Sequence, residues 1–156
     1  MAWFYLPAAV ANMVPVLATK YKWTEFLNKP VDAGKTWGGK RILGDNKTLR
    51  GFILGTAAGT LVGFLQGHGV LLGFALSFGA LAGDSIESII KRQSGITPGK
   101  SLPVLDQIDY VLGASLAAAL VIRVPAEYFI LALVVLGIGS AFTSYVGYKL
   151  KIKKSI

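Results

Sequence analysis

The chain has 156 residues, 53% of them apolar, with 16 Lys and Arg against eight Asp and Glu and a single His. It contains no cysteine, which excludes disulfides, thiolate catalysis and cysteine-based metal sites. The one histidine, His68, falls in a predicted turn away from the candidate acids, so neither a Ser-His triad nor a histidine-rich metal site is expected.

Mean hydropathy is +0.57, and the apolar residues come in blocks rather than amphipathic stripes. A helix needs roughly 20 mostly apolar residues to cross a bilayer. Five blocks approach this length, at about 3–19, 51–66, 69–90, 107–123 and 126–148. The expected fold class is all-α: one polytopic membrane domain over 1–156 with five transmembrane helices. Residues 20–50 and 91–106 are then the loops on one side.

The first block lacks a basic flank and a cleavage site, so it reads as a span and not as a removed leader. The loop after it holds eight Lys and Arg between Lys20 and Arg50. Its second half, DAGKTWGGKRILGDNKTLRG, is rich in glycine and cations. Gly34 to Lys40 matches G-x-x-x-x-G-K, but Arg41 follows where a P-loop has Ser or Thr, and no strand precedes it. A P-loop NTPase is rejected. The composition still suits an anion, because glycine lets backbone N–H groups face a phosphate while Lys and Arg supply charge.

The second block, GFILGTAAGTLVGFLQG, has glycine every fourth residue: Gly51, Gly55, Gly59, Gly63 and Gly67. Such a stripe lets membrane helices approach closely. Packing within the chain is the expected use, and a homodimer through the striped helix is the alternative. His68, in the outer turn QGHG, reads as a solvated loop residue.

The third block begins as membrane-grade sequence and ends in GALAGDSIESIIKR. A carboxylate at membrane depth costs about 3 kcal/mol on insertion scales, so Asp84 is a functional-site suspect. Asp84, Ser88 and Arg92 recur at i, i+4 and i+8 and share a helix face, with Glu87 and Lys91 alongside. A polar Gly/Pro loop leads to LDQIDYVLGA, where Asp106 and Asp109 are three residues apart. The fifth block, EYFILALVVLGIGSAFTSYVGYKL, carries no embedded charge and reads as structural.

With five spans, the loop after the first, the loop after the third and the C-terminus lie together. They hold 15 of the 16 Lys and Arg; Arg123 is the exception. The positive-inside rule puts them in the cytosol and the N-terminus outside. The basic surface accordingly reads as orientation and anionic-headgroup attraction, with no nucleic-acid partner. The expected location is the cell membrane, multi-pass, with the active site on the cytosolic side.

The third and fourth blocks are joined by a short loop, so they are expected to be antiparallel neighbours. Asp84, Asp106 and Asp109 then converge. Three carboxylates without His or Cys are hard oxygen ligands, which suit Mg²⁺ shared with substrate phosphates and water. Cations beside such a site suggest phosphoryl or nucleotidyl transfer, and its opening toward lipid suggests a lipid acceptor.

GDSIESIIKRQSGI followed by LDQIDYVLGA resembles the signature of the phosphatidate cytidylyltransferases, membrane enzymes that make CDP-activated lipids. The shared pattern is S-x-x-K-R, a glycine-containing loop, then D-x-x-D. Upstream, GGKRILGDNKTLRG is similar to that family's G-K…K-T-x-x-G segment. The short five-span chain most resembles the family's archaeal branch, which makes CDP-archaeol. Two departures stand out: Leu102-Pro103-Val104 replaces a His-Gly-Gly, and Arg50 stands where bacterial relatives often have Glu.

The resemblance implies CTP and a di-geranylgeranylglyceryl phosphate as substrates. CMP is transferred to the prenylated lipid and pyrophosphate is released. It implies Asp84 and Asp106 as principal Mg²⁺ ligands with Asp109 assisting, and Ser88, Lys91 and Arg92 as phosphate contacts. Lys40, Lys47 and Thr48, with Asn46 beside them, would bind the triphosphate or position the loop. The expected step is in-line attack by the lipid phosphate, which is mostly dianionic at neutral pH and needs no general base. Alternatives are a CDP-diacylglycerol synthase or another CTP-dependent lipid enzyme. A CDP-alcohol phosphotransferase is disfavoured because its D-G-x-x-A-R core is missing. An ion transporter would place charges in both halves of the membrane and show an inverted repeat.

Overall fold

The computed structural model describes residues 2–96, 105–123, 127, 129–135 and 138–139, with the side chains of 105–107 outside that description. Four helices carry the described architecture: α1 (Leu6–Lys20), α2 (Leu49–Leu65), α3 (Val70–Gln93) and α4 (Leu105–Ala119). Residues 129–135, in the fifth apolar block, are helical again.

Local chemistry sets the helix ends. Pro7 sits in the first turn of α1, where its missing N–H leaves no bond unmade. Thr48 caps α2: it is extended, and its hydroxyl accepts from the Gly51 N–H at 3.2 Å. Lys91 and Arg92 occupy the last turn of α3, where cations favour the helix dipole.

The bundle is small inside and large outside. Ala8, Ala80, Ala114 and Ala118 are fully buried, whereas Leu61, Leu65, Leu71, Leu116 and Leu120 are each more than half exposed. A water-soluble bundle would reverse this arrangement; lipid surroundings suit it, because close backbone approach takes over from hydrophobic burial. α3 has 24 residues and is the one described helix long and apolar enough by itself to cross a membrane.

α3 packs against α1, α2 and α4, and α1 also packs against α2. The glycine stripe makes these approaches possible. A Cβ at Gly55 would lie 2.6 Å from the Ala11 carbonyl oxygen of α1, and one at Gly51 would lie 2.9 Å from Pro15 Cβ. Gly59 faces both Pro7 and Ser77, and Gly63 faces Gly73 of α3. Gly51, Gly55, Gly59 and Gly63 are therefore filled from within the chain, and the face left open for a homodimer is occupied. Gly67 lies beyond the helix and is not part of the stripe.

α3 and α4 cross on a second glycine contact, with Gly79 and Gly83 against Gly113. At Gly83 the space a side chain would need is taken by the Asp109 carbonyl. Tyr5 and Ser115 tie the N-terminus to α4 through a 2.6 Å hydroxyl–hydroxyl hydrogen bond. His68 differs from expectation. It is half-buried, with its ring edge-to-face against Phe4 at 5.6 Å, because the N-terminal turn folds over the α2–α3 connection.

The loop before α2 is ordered around one carboxylate. Thr36–Trp37 (β1) pairs antiparallel with Lys40–Arg41 (β2). Gly38 and Gly39 both have positive φ, as a two-residue hairpin turn requires. The G-x-x-x-x-G-K match is thus a β-hairpin and not a phosphate loop opening a helix. Asp32, buried beneath it, accepts from the backbone of Gly34, Leu43 and Gly44 and from Arg41 through both carboxylate oxygens.

The Arg41 guanidinium, helped by the three backbone N–H groups, holds the Asp32 carboxyl well below the usual carboxylate range. A depressed folded-state pKa means that this stabilisation is complete above the unfolded value, near 3.8, and is lost as pH falls below it. Asp32→Asn should cost roughly 2–3 kcal/mol at pH 7, less than a fully buried pair because Arg41 stays partly wet. Melting curves from pH 7 down to pH 2 check this. The gap between wild type and variant should close with acid.

Candidate active site at the crossing of α3 and α4

Asp84 and Glu87 stand three residues apart on α3, so they share a face. Gly83 lets the α4 backbone reach α3 at Asp109. As a result Asp84, Glu87 and Asp109 each bring a carboxylate oxygen within 4.8 Å of the others. Glu87 and Asp109 are buried, and Asp84 is half-buried.

Two lysines accompany them. Lys47, just before the α2 cap, places Nζ 2.5 Å from Asp84 Oδ2. Lys91 places Nζ 2.6 Å from Glu87 Oε1, one helical turn away. Lys91 is buried, whereas the Lys47 side chain keeps 20% of its surface exposed. Asp84 pairs with neither Lys91 nor Arg92; the Arg92 guanidinium donates to the Ile96 carbonyl at 2.7 Å, beyond the helix end.

The other sequence-derived candidates fall around this cluster. The Ser88 hydroxyl donates to the Asp84 carbonyl at 3.0 Å, within α3. Asn46, Lys47 and Thr48 line a cleft together with Asp84, Ser85, Phe52 and Leu81. Lys40, on β2, donates to the Gln93 carbonyl at 2.7 Å and so docks the hairpin on the end of α3. Asp106 lies in α4, three residues before Asp109, and its side chain is outside the described residues.

Sequence reasoning set Glu87 aside. The signal was available: Asp84, Glu87 and Lys91 recur at i, i+3 and i+7, and this stripe turns inward. Asp32 carries no such signal, since it shares the cationic loop with Glu25 and Asp45 and none of the three follows a periodic pattern. Arg50, the departure from the bacterial pattern, is almost fully buried. It donates to the Trp23 carbonyl at 3.1 Å and the Thr19 hydroxyl at 3.3 Å, with Glu25 at 3.4 Å, which ties the start of α2 to the end of α1.

The donors suit a hard divalent cation. Carboxylate oxygens are its preferred ligands, and Mg²⁺ keeps positions for water and phosphate. Three such oxygens within 4.8 Å of one another, with Asp84 also lining the cleft, could hold a divalent cation.

A helical bundle with a lipid-suited exterior and a carboxylate–lysine cluster at one helix crossing fits a membrane-embedded transferase. The chain belongs to the CDP-archaeol synthase family, an enzyme family of lipid biosynthesis. The family model described as CarS-like, CDP-archaeol synthase, matches residues 1–156. The chain is 38% identical to the CDP-archaeol synthase of Methanopyrus kandleri, over 97% of this chain and 89% of that protein. It is 37% identical to that of Pyrobaculum islandicum, over 99% and 97%. A solved structure of an intramembrane enzyme for archaeal membrane lipid biosynthesis superposes with a TM-score of 0.72 at 33% identity, covering 95% of this chain and 91% of that one.

Proposed function

We propose that this enzyme transfers CMP from CTP to a di-geranylgeranylglyceryl phosphate in a Mg²⁺-dependent reaction, giving CDP-archaeol and pyrophosphate. The observation that carries this reading is the Asp84–Glu87–Asp109 cluster, flanked by Lys47 and Lys91, in a chain of the CDP-archaeol synthase family. Asp84, Asp106 and Asp109 would hold Mg²⁺, with Glu87 beside them. When bound, the metal neutralises charge on the nucleotide phosphates. Asn46, Lys47 and Thr48, which line the cleft, would meet the triphosphate, and Lys40 would bind it or position the loop. Ser88, Lys91 and Arg92, at the end of α3, would hold phosphate.

The reacting bond needs no base from the protein. The acceptor is a phosphate monoester whose second pKa is near 6, so it arrives mostly dianionic. Its oxygen bonds to the α-phosphorus while the α–β bridging bond breaks, and pyrophosphate departs with that electron pair. The protein positions the two phosphates and compensates their charge. Polar and apolar side chains meet in the cleft, with Asn46, Lys47, Thr48 and Asp84 beside Phe52 and Leu81. Purified enzyme with radiolabelled CTP and the prenylated glycerol phosphate should yield CDP-lipid and pyrophosphate. Folded protein that gives neither product with Mg²⁺ present sinks the reading.

The proposal includes five membrane crossings in the cell membrane, with the hairpin loop and the C-terminus in the cytosol. The asymmetry of the Lys and Arg positions supports it. In this cysteine-free chain, Lys35→Cys and Arg123→Cys put single thiols on exposed positions that the proposed topology assigns to opposite sides. An impermeant thiol reagent on intact cells should label position 123 and spare position 35. The reverse pattern would invert the topology.

A further inference from the structure

We infer that Lys47 is a placeholder for the metal: it neutralises Asp84 while the site is metal-free and leaves when a divalent cation arrives. This rests on the metal-dependent reading above. The two lysines of the cluster are built differently. Lys91 is on the same helix as its partner Glu87 and is buried with it, which makes it a fixed charge. Lys47 comes from another element, 37 residues away in sequence, and meets Asp84 at the edge of the cleft with both side chains about one-fifth exposed.

The Lys47 backbone is anchored. Its carbonyl accepts from the Val31 N–H at 2.8 Å, and the next residue, Thr48, caps α2. The side chain alone can therefore change partner, and a four-carbon stem reaches solvent from this position without moving the loop.

Position favours the exchange. Lys47 Nζ sits on Asp84 Oδ2, an oxygen that a divalent cation on this cluster would use. Cation and ammonium compete for the same carboxylate, and like charge repels Lys47 once the cation is in place. The freed ammonium is still tethered to the cleft that Asn46 and Thr48 line. Displacement thus delivers a cation to the place where a triphosphate would arrive.

Two measurements test this, both without turnover. The first is binding of Mn²⁺ alone, by electron paramagnetic resonance, to wild type, Lys47→Met and Asp84→Asn. Lys47→Met keeps most of the stem and removes the competitor, so it should bind Mn²⁺ about fivefold more tightly or better. Asp84→Asn should bind it much more weakly. The second is the rate at which Lys47 is acetylated, read by mass spectrometry. Mn²⁺ should speed it in wild type, and Asp84→Asn should speed it with no metal present. If Lys47→Met is folded and binds Mn²⁺ no more tightly than wild type, or if Mn²⁺ leaves Lys47 acetylation unchanged while binding at Asp84, the exchange is wrong and the metal site stands. Wild type and Asp84→Asn with equal Mn²⁺ affinity would overturn both readings.

Discussion

Asp84→Asn is expected to lower turnover by about two orders of magnitude or more, the scale seen when a charge-stabilising group is removed from a preorganised site. Its metal-free melting temperature should stay level or rise. Two structural facts set that sign. Asp84 is one of three clustered carboxylates, so its loss relieves repulsion. Its partner Lys47 is partly exposed and can turn to water, so no buried cation is stranded. Asp109→Asn should behave alike in turnover. The double variant should be little worse than either single, because residues acting on one ion are non-additive. Turnover and melting temperature for the three variants decide the matter. An active Asp84→Asn enzyme with normal Mg²⁺ dependence would remove the cluster from catalysis.

Gly113→Val should abolish activity by a different route. A Cβ at Gly113 meets the Gly79 carbonyl oxygen, with Gly83 Cα and N both at 2.8 Å. These are backbone atoms and cannot rotate away, so the helices must separate. Overpacking of this kind costs roughly 1–3 kcal/mol and sometimes more. Separation also moves Asp109 from Asp84 and Glu87, since the same crossing joins them. Stability and turnover should therefore fall together, in contrast to Asp84→Asn, where turnover falls alone. Leu116→Ala, one turn further on and 69% exposed, is the control and should shift stability by only about 0.5 kcal/mol. A Gly113→Val enzyme of normal stability would mean that the glycine crossing does not position the site.

Much of the molecule is legible along the chain because the relevant physics is local. Apolar blocks of span length mark a helical membrane protein, since a continuous apolar segment in lipid satisfies its own backbone hydrogen bonds only as a helix. Asp84 and Asp109 are conspicuous because a carboxylate in such a block is costly and needs a reason. Thr48 before an apolar run marks the start of α2, and the glycine stripe marks a face meant for close approach. S-x-x-K-R followed by D-x-x-D carried the family.

Only the tertiary structure decided which of these residues meet. That Lys47 rests on Asp84 depends on how far α2 lies from α3, which glycines set by contributing no side chain. A glycine face permits contact without stating its partner or register, so nothing along the chain distinguished α1 and α3 from a second copy of the chain. Glu87 joined the site because the crossing at Gly83 and Gly113 turns the i, i+3, i+7 stripe of α3 inward, where spacing alone equally allowed the stripe through Ser88 and Arg92. Asp32 gained its role from five hydrogen bonds reaching from Gly34, Arg41, Leu43 and Gly44. Composition and helical period act within a turn or two. The distance between an acid and a lysine 37 residues apart is set by the depth and angle at which two helices cross.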